Sequence, residues 1–177
     1  MAEAVTAAAA APARGVSRIP RRLSGEVLHR AVAVPAPAWA VLLTAVALGA
    51  HAALWGAQAP WGQAPEAGAL AIAAGLAWAG WAGRLLQRAA AVPGLAAGRR
   101  VFVDHGPYAW SRHPMYLGLA VAMLGTGLAA GVPLMAPAAA AFVAMVQTQH
   151  IPREEAALRR AHGAWYSDYA GDVPRWF

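Results

Sequence analysis

The chain has 177 residues, of which 59% are hydrophobic and 12% charged, with a formal net charge of +6 and no cysteine. So low a charged fraction excludes an ordinary soluble domain, which carries about 25%, and the missing thiols exclude disulfides, iron–sulfur clusters, thiolate zinc sites and a cysteine nucleophile. The basic residues punctuate long apolar runs instead of forming one face, so the partner they imply is a lipid bilayer with an anionic surface, and no nucleic acid.

Residues 1–33 are rich in Ala and Arg, contain Pro12 and Pro20, and show neither a helical stripe nor strand alternation. They read as a disordered cytoplasmic tail ahead of a membrane domain at 34–177; Glu3 and Glu26 count against an organelle transit peptide. Ala36–Gly56 is interrupted only by His51, and Ala67–Gly83 carries no charge. Each approaches the roughly 20 residues that cross a bilayer, which predicts two transmembrane helices. His51 has no second ligand at helical spacing and is expected to be a hydrogen-bonded core residue; a haem or quinone site is its rival reading.

Met115 to Gln147 is also free of charge. One straight helix of that length would run about 50 Å against a hydrocarbon core of about 30 Å, so it must break. Gly131, Val132 and Pro133 supply the break, since Gly tolerates the turn and Pro suits the first turn of a new helix. The arginines agree with this hairpin. Arg14, Arg18, Arg21, Arg22 and Arg30 precede the first span, Arg84, Arg88, Arg99, Arg100 and Arg112 lie between the second and third, and Arg153, Arg159, Arg160 and Arg175 follow the fourth. Four spans put every one of them on the cytoplasmic side, with both termini inside. Trp39, Trp78 and Trp81 then fall at the inner interface and Trp55 and Trp61 at the outer one. The expected fold is all-α: a polytopic helical bundle of about four transmembrane helices, with a cytoplasmic pocket and a short C-terminal cytoplasmic helix. A bacterial inner membrane is the expected location. Gly118, Gly125 and Gly127 permit close helix packing within or between chains, so an oligomer is open.

No Asp, Glu, Lys or Arg falls inside a predicted span, which disfavours an ion or proton pathway. Polar and aromatic residues crowd instead into two stretches at the inner edge. In GPYAWSRHPMYLG (106–118), Pro114 opens the third helix, so Arg112 and His113 sit at an N-terminus whose free N–H groups favour an anion. Tyr116 lies one turn in, and the Gly106–Pro107 turn sets Tyr108 and Trp110 at the same mouth. An interfacial aromatic anchor is the plain reading of this stretch. In HIPREEAAL (150–158), Pro152 opens a helix with Glu154 and Glu155 in its first turn, where carboxylates also simply complement the dipole. The hairpin brings the stretches together, and anion-binding N–H groups opposite a carboxylate pair suit a zwitterion with an amino-acid end or a cationic cofactor.

The coupling of RHPMYLG with EEAAL and then HGAWYSDYAGDVPRW resembles the C-terminal half of the isoprenylcysteine carboxyl methyltransferases and phospholipid N-methyltransferases, over about residues 99 to 176. The resemblance implies an integral membrane enzyme using S-adenosyl-L-methionine, with a lipophilic or small-molecule methyl acceptor and no metal. It places Tyr108, His113, Pro114, Met115, Tyr116 and Glu154 at the methyl donor, and, by a looser match, Arg100, Val101, Phe102 and Val103. Glu155, His150 and Arg153 become acceptor-side catalytic candidates: His150 or Glu155 as a base for an amine, His150 or Arg153 to orient a carboxylate. The carboxyl methyltransferases carry Arg four residues before the first Glu, where this chain has His150, a departure that counts against a prenylcysteine carboxylate. The alternatives are phospholipid (ethanolamine) N-methylation and a non-catalytic membrane protein that binds anionic lipid.

Overall fold

The computed structural model describes residues 35–58, 62–91 and 101–177; the 1–33 tail, Trp61, Arg99 and Arg100 lie outside the described residues. All the described residues belong to one unit, Val34–Phe177. Among them the structure is all-α, with helices α1 (Ala36–Trp55), α2 (Pro65–Ala90), α3 (Pro114–Ala130), α4 (Met135–Met145), α5 (Ile151–His162) and α6 (Ala164–Asp172).

α1 and α2 are long and apolar enough to cross a bilayer, with mean hydropathy 1.7 and 1.4. Their apolar side chains point outward: Val41 is 70% exposed and Leu70 72%. That pattern is wrong for a water-soluble bundle and right for helices whose solvent is lipid. α2 outruns the uncharged Ala67–Gly83 stretch at both ends, taking in Glu66 in its first turn and Arg88 in its last, where each complements the helix dipole. α3 and α4 are apolar but shorter, at 17 and 11 residues.

In lipid no hydrophobic force presses helices together, so close packing must hold them. α2 and α3 meet along small residues. A Cβ added to Gly75 would fall 2.5 Å from the Gly118 carbonyl oxygen, and one on Gly125 2.8 Å from the Ile72 nitrogen. Gly127 abuts Met135 of α4. The three glycines of α3 therefore serve packing within the chain. At the hairpin, α3 ends at Ala130, Gly131 takes φ 65°, and Val132 N–H bonds the Gly127 carbonyl at 2.9 Å, so the break falls where Gly and Pro place it. α1 covers α4, and Ala36, Ala40 and Ala47 join Tyr116, Met123, Met135, Phe142, Val146 and Ile151 in the main core. His51 is buried, donates from Nε2 to the Gln58 carbonyl at 2.9 Å and packs on Trp55.

α5 does not start afresh at Pro152. A π-helical turn, Val146–His150, runs α4 directly into α5, with Ile151 N–H bonding the Val146 carbonyl five residues back. The widened turn absorbs the donor that proline lacks and the clash its ring would make in an α-helical ladder. After Gly163, at φ 57°, comes α6, so two helices follow the hairpin instead of the single short one expected. The C-terminal end of α2, the N-terminal end of α3 and the α4–α5 junction meet at one end of the bundle, which carries the described arginines.

Candidate active site

Three short-range devices set the N-terminus of α3. Gly106 adopts φ 64° and begins a 3₁₀ turn, Gly106–Ala109, that buries Pro107 and Tyr108. Ser111 is buried, and its Oγ accepts the His113 N–H at 3.3 Å. Pro114 then opens the helix with His113 at its cap. The anion reading needs one correction: the Arg112 N–H is taken by the Pro174 carbonyl at 2.9 Å and the His113 N–H by Ser111, so most donors expected to be free there are already satisfied.

His113 is 6% exposed and lies between consecutive carboxylates. Its Nδ1 is 3.6 Å from Glu154 and its Nε2 3.6 Å from Glu155. Tyr116 stacks on it at 5.8 Å and donates its hydroxyl to Glu154. His150 also approaches Tyr116, edge to face, ring centroids 6.5 Å apart. Burial raises the Glu154 carboxyl, but hydrogen bonds from His113 and Tyr116 and the nearby imidazoles outweigh it and hold the group below the ordinary carboxylate range. Its side chain is 37% exposed, so it is both charged and reachable.

Glu155 differs from its neighbour: its side chain is 3% exposed and ringed by cations. Arg175 binds it with two parallel bonds, Nε to Oε1 at 3.0 Å and Nη2 to Oε2 at 2.8 Å. Arg112 stands 3.6 Å away and Arg159 3.9 Å. Burial alone would raise this carboxyl too, yet the Arg175 hydrogen bonds and the charges of Arg112 and Arg175 bring it below normal. Among the described residues no cluster of His, Asp and Glu is suited to a metal.

The remaining expected residues divide. Tyr108 is buried, donates to the Ala82 carbonyl at 3.4 Å, and has its phenol pushed up to about 12 by burial and by the Glu154 charge. Val101, Val103 and Met115 pack with Tyr108, Ala82 and Leu85. Phe102 faces Tyr166, Tyr169, Trp165 and His162, the nearest ring centroid at 4.9 Å. Pro114 is buried, and Arg153 is exposed.

Residues 65–164 match the family model described as phospholipid methyltransferase. The chain belongs to this family. Its residues are also 38% identical over 73 positions to a protein-S-isoprenylcysteine O-methyltransferase of Tribolium castaneum, covering 41% of this chain and 26% of that one. A protein-S-isoprenylcysteine O-methyltransferase A of Arabidopsis thaliana is 38% identical over 71 residues, 40% of this chain and 36% of its own. The aligned segment thus spans about a quarter to a third of each curated relative. In three dimensions the chain is similar to a eukaryotic intramembrane Ras methyltransferase, isoprenylcysteine carboxyl methyltransferase, with a TM-score of 0.57, 24% identity, and coverage of 87% of this chain and 56% of that one.

Within this methyltransferase-family fold, several site residues escape sequence reasoning. Arg175 was legible only as a basic residue, yet it is the main partner of Glu155. Ser111 Oγ donates to the Arg175 carbonyl at 2.8 Å, Trp176 Nε1 donates to Gln147 Oε1 at 3.0 Å, and the Tyr169 hydroxyl donates to the Tyr108 carbonyl at 2.7 Å. The segment that follows α6 is thereby fastened beneath the α3 N-terminus. Its signal lay in the VPRW run, which hydropathy cannot interpret.

Proposed function

We propose that the chain is an integral membrane, S-adenosylmethionine-dependent methyltransferase that methylates a lipophilic or small acceptor at the cytoplasmic face. α1, α2, α3 and α4 continued through the π turn to His150 are its four spans, both termini lie inside, and its membrane is a bacterial inner membrane. The observation that carries the reading is the His113–Tyr116–Glu154 constellation, assembled from two helices within the family-matched region at the arginine-bearing end of the bundle.

The donor set fits the cofactor. Glu154 is a charged, partly exposed acceptor for an ammonium group; Arg112 Nε is a buried donor with no hydrogen-bond partner among the described residues, suited to a carboxylate, and His113 Nε2, likewise without a hydrogen bond, has Glu155 3.6 Å away. Tyr108 and Tyr116 offer neutral aromatic faces to a sulfonium. When bound, S-adenosylmethionine supplies an activated methyl group. The chain's residues hold and orient it and exclude water, which is most of what an in-line transfer requires. His150 and Arg153 stand on the acceptor side, at the α4–α5 junction, open to lateral entry from lipid. Val101, Phe102 and Val103 belong in this reading to the wall of the cofactor site.

The names of the curated relatives favour an oxygen acceptor on an isoprenylcysteine, whereas the family description favours a phospholipid; if its acceptor is an amine, His150 would accept the proton. Transfer of labelled methyl to a prenylcysteine or to an ethanolamine phospholipid separates them. The primary test is calorimetric binding of S-adenosylmethionine to the detergent-purified protein. Binding that weakens at least about tenfold in Glu154→Gln supports the reading; a wild-type protein that binds none, in detergent and in lipid, sinks it.

A further inference from the structure

We propose that Arg175 is a positioning residue for the cofactor site: by neutralising Glu155 and fixing the Arg112–His113 corner, it leaves His113 facing Glu154 and the ligand. The inference rests on the function proposed above.

Glu155 needs that partner. It is nearly fully buried, and its oxygens lie as close to His113 Nε2 as those of Glu154 lie to His113 Nδ1, 3.6 Å in each case. Two like charges therefore compete for one imidazole. Among the described residues, the groups that face that ring are Glu154, Glu155 and Tyr116, with His150 packed on Tyr116 and Arg112, Arg159 and Arg175 around Glu155. Of the cations on Glu155, only Arg175 makes a two-bond, charge-assisted fork; Arg112 and Arg159 are at longer range. Without the fork, a buried carboxylate would be left to draw His113 and Arg112 toward itself and away from the ligand side.

The backbone of the same segment acts on the same corner. The Pro174 carbonyl takes the Arg112 N–H, and the Arg175 carbonyl takes the Ser111 hydroxyl, whose oxygen takes the His113 N–H. Trp176 on Gln147 anchors the segment to the π turn. Arg175 thus reaches His113 by two routes, side chain through Glu155 and main chain through Ser111.

The test is S-adenosylmethionine binding by calorimetry to full-length wild type, Arg175→Ala, Arg175→Lys and the double variant Arg175→Ala/Glu155→Gln. Arg175→Ala is expected to bind at least about tenfold more weakly, Arg175→Lys about threefold to fivefold, and the double variant to recover to within about threefold of wild type, because the stranded charge is gone. Wild-type affinity in Arg175→Ala, or a double variant as weak as the single one, overturns the proposal. If the wild type binds no S-adenosylmethionine, the functional reading fails and the positioning role is decided by ¹³C-histidine spectra. The His113 resonances, identified by their loss in His113→Asn, should shift in Arg175→Ala and return in the double variant; unshifted resonances overturn it.

Discussion

The rings of His113 and Tyr116 lie parallel, 8° apart in plane with centroids separated by 5.8 Å, and both are tied to Glu154 from a helix far along the chain. The stack holds the carboxylate in one orientation before any ligand arrives. Removing the phenolic donor in Tyr116→Phe should cost a charge-assisted hydrogen bond, about 1.5 kcal/mol of stability, and, by freeing Glu154 to move, weaken S-adenosylmethionine binding about tenfold. Calorimetry and a melting curve check it; unchanged affinity would mean that Tyr116 does not orient Glu154.

Glu154 and Glu155 are predicted to fail in opposite ways. Glu155→Ala strands Arg112 and Arg175 around an empty, buried position and should destabilise the protein by about 3 kcal/mol or more. Glu154→Gln, at a partly exposed site, should stay within about 1 kcal/mol while losing cofactor affinity. Thermal unfolding in detergent, run beside the binding assay, distinguishes them. Equal loss of stability in both variants contradicts the division.

Acid should loosen the site from the carboxylate side. Both glutamates titrate below the ordinary value of 4.5 in the fold, so the stability they contribute is complete above that value. It is lost as pH falls below 4.5 and through the lowered folded-state values. Melting temperature should therefore be flat with respect to these groups from neutrality down to about pH 5 and fall below it. In Glu155→Gln the acid-dependent part should shrink. A wild-type melting temperature unaffected by acid would count against the ionised pair.

The α2–α3 seam is backbone against backbone, so Gly118→Ala has nowhere to place its methyl: the added carbon would meet the Gly75 carbonyl and the Ala79 nitrogen, the latter at 2.8 Å. A cost of about 1–3 kcal/mol is expected. Gly171→Ala, with nothing within 4 Å of the new carbon, should be neutral or slightly stabilising. Comparable losses in the two variants would show that the seam is looser than the structure has it.

Hydropathy, glycine and proline act locally, and what depends on them was legible in the chain alone. The helical class, α1 and α2 and the break at Gly131–Pro133 all follow from which residues tolerate lipid or a left-handed turn. The pairing of the RHPMY and EE stretches could also be inferred, because a tight hairpin leaves few other places for them. The continuous passage from α4 into α5 was not legible, since Pro152 signals a boundary unless a π turn is there to absorb it. Helical spacing by itself did not separate Glu154 from Glu155; the family resemblance assigned the first to the methyl donor and the second to the acceptor side, and neither reported the arginines around Glu155. Neighbours on a helix point about 100° apart, and only the phase of α5 against α3 decides which one stays partly exposed beside His113 and Tyr116 and which turns into the arginine cage. The partner that makes that cage, Arg175, lies beyond two more helical segments, and no periodicity reports a contact that only the folded path of the chain creates.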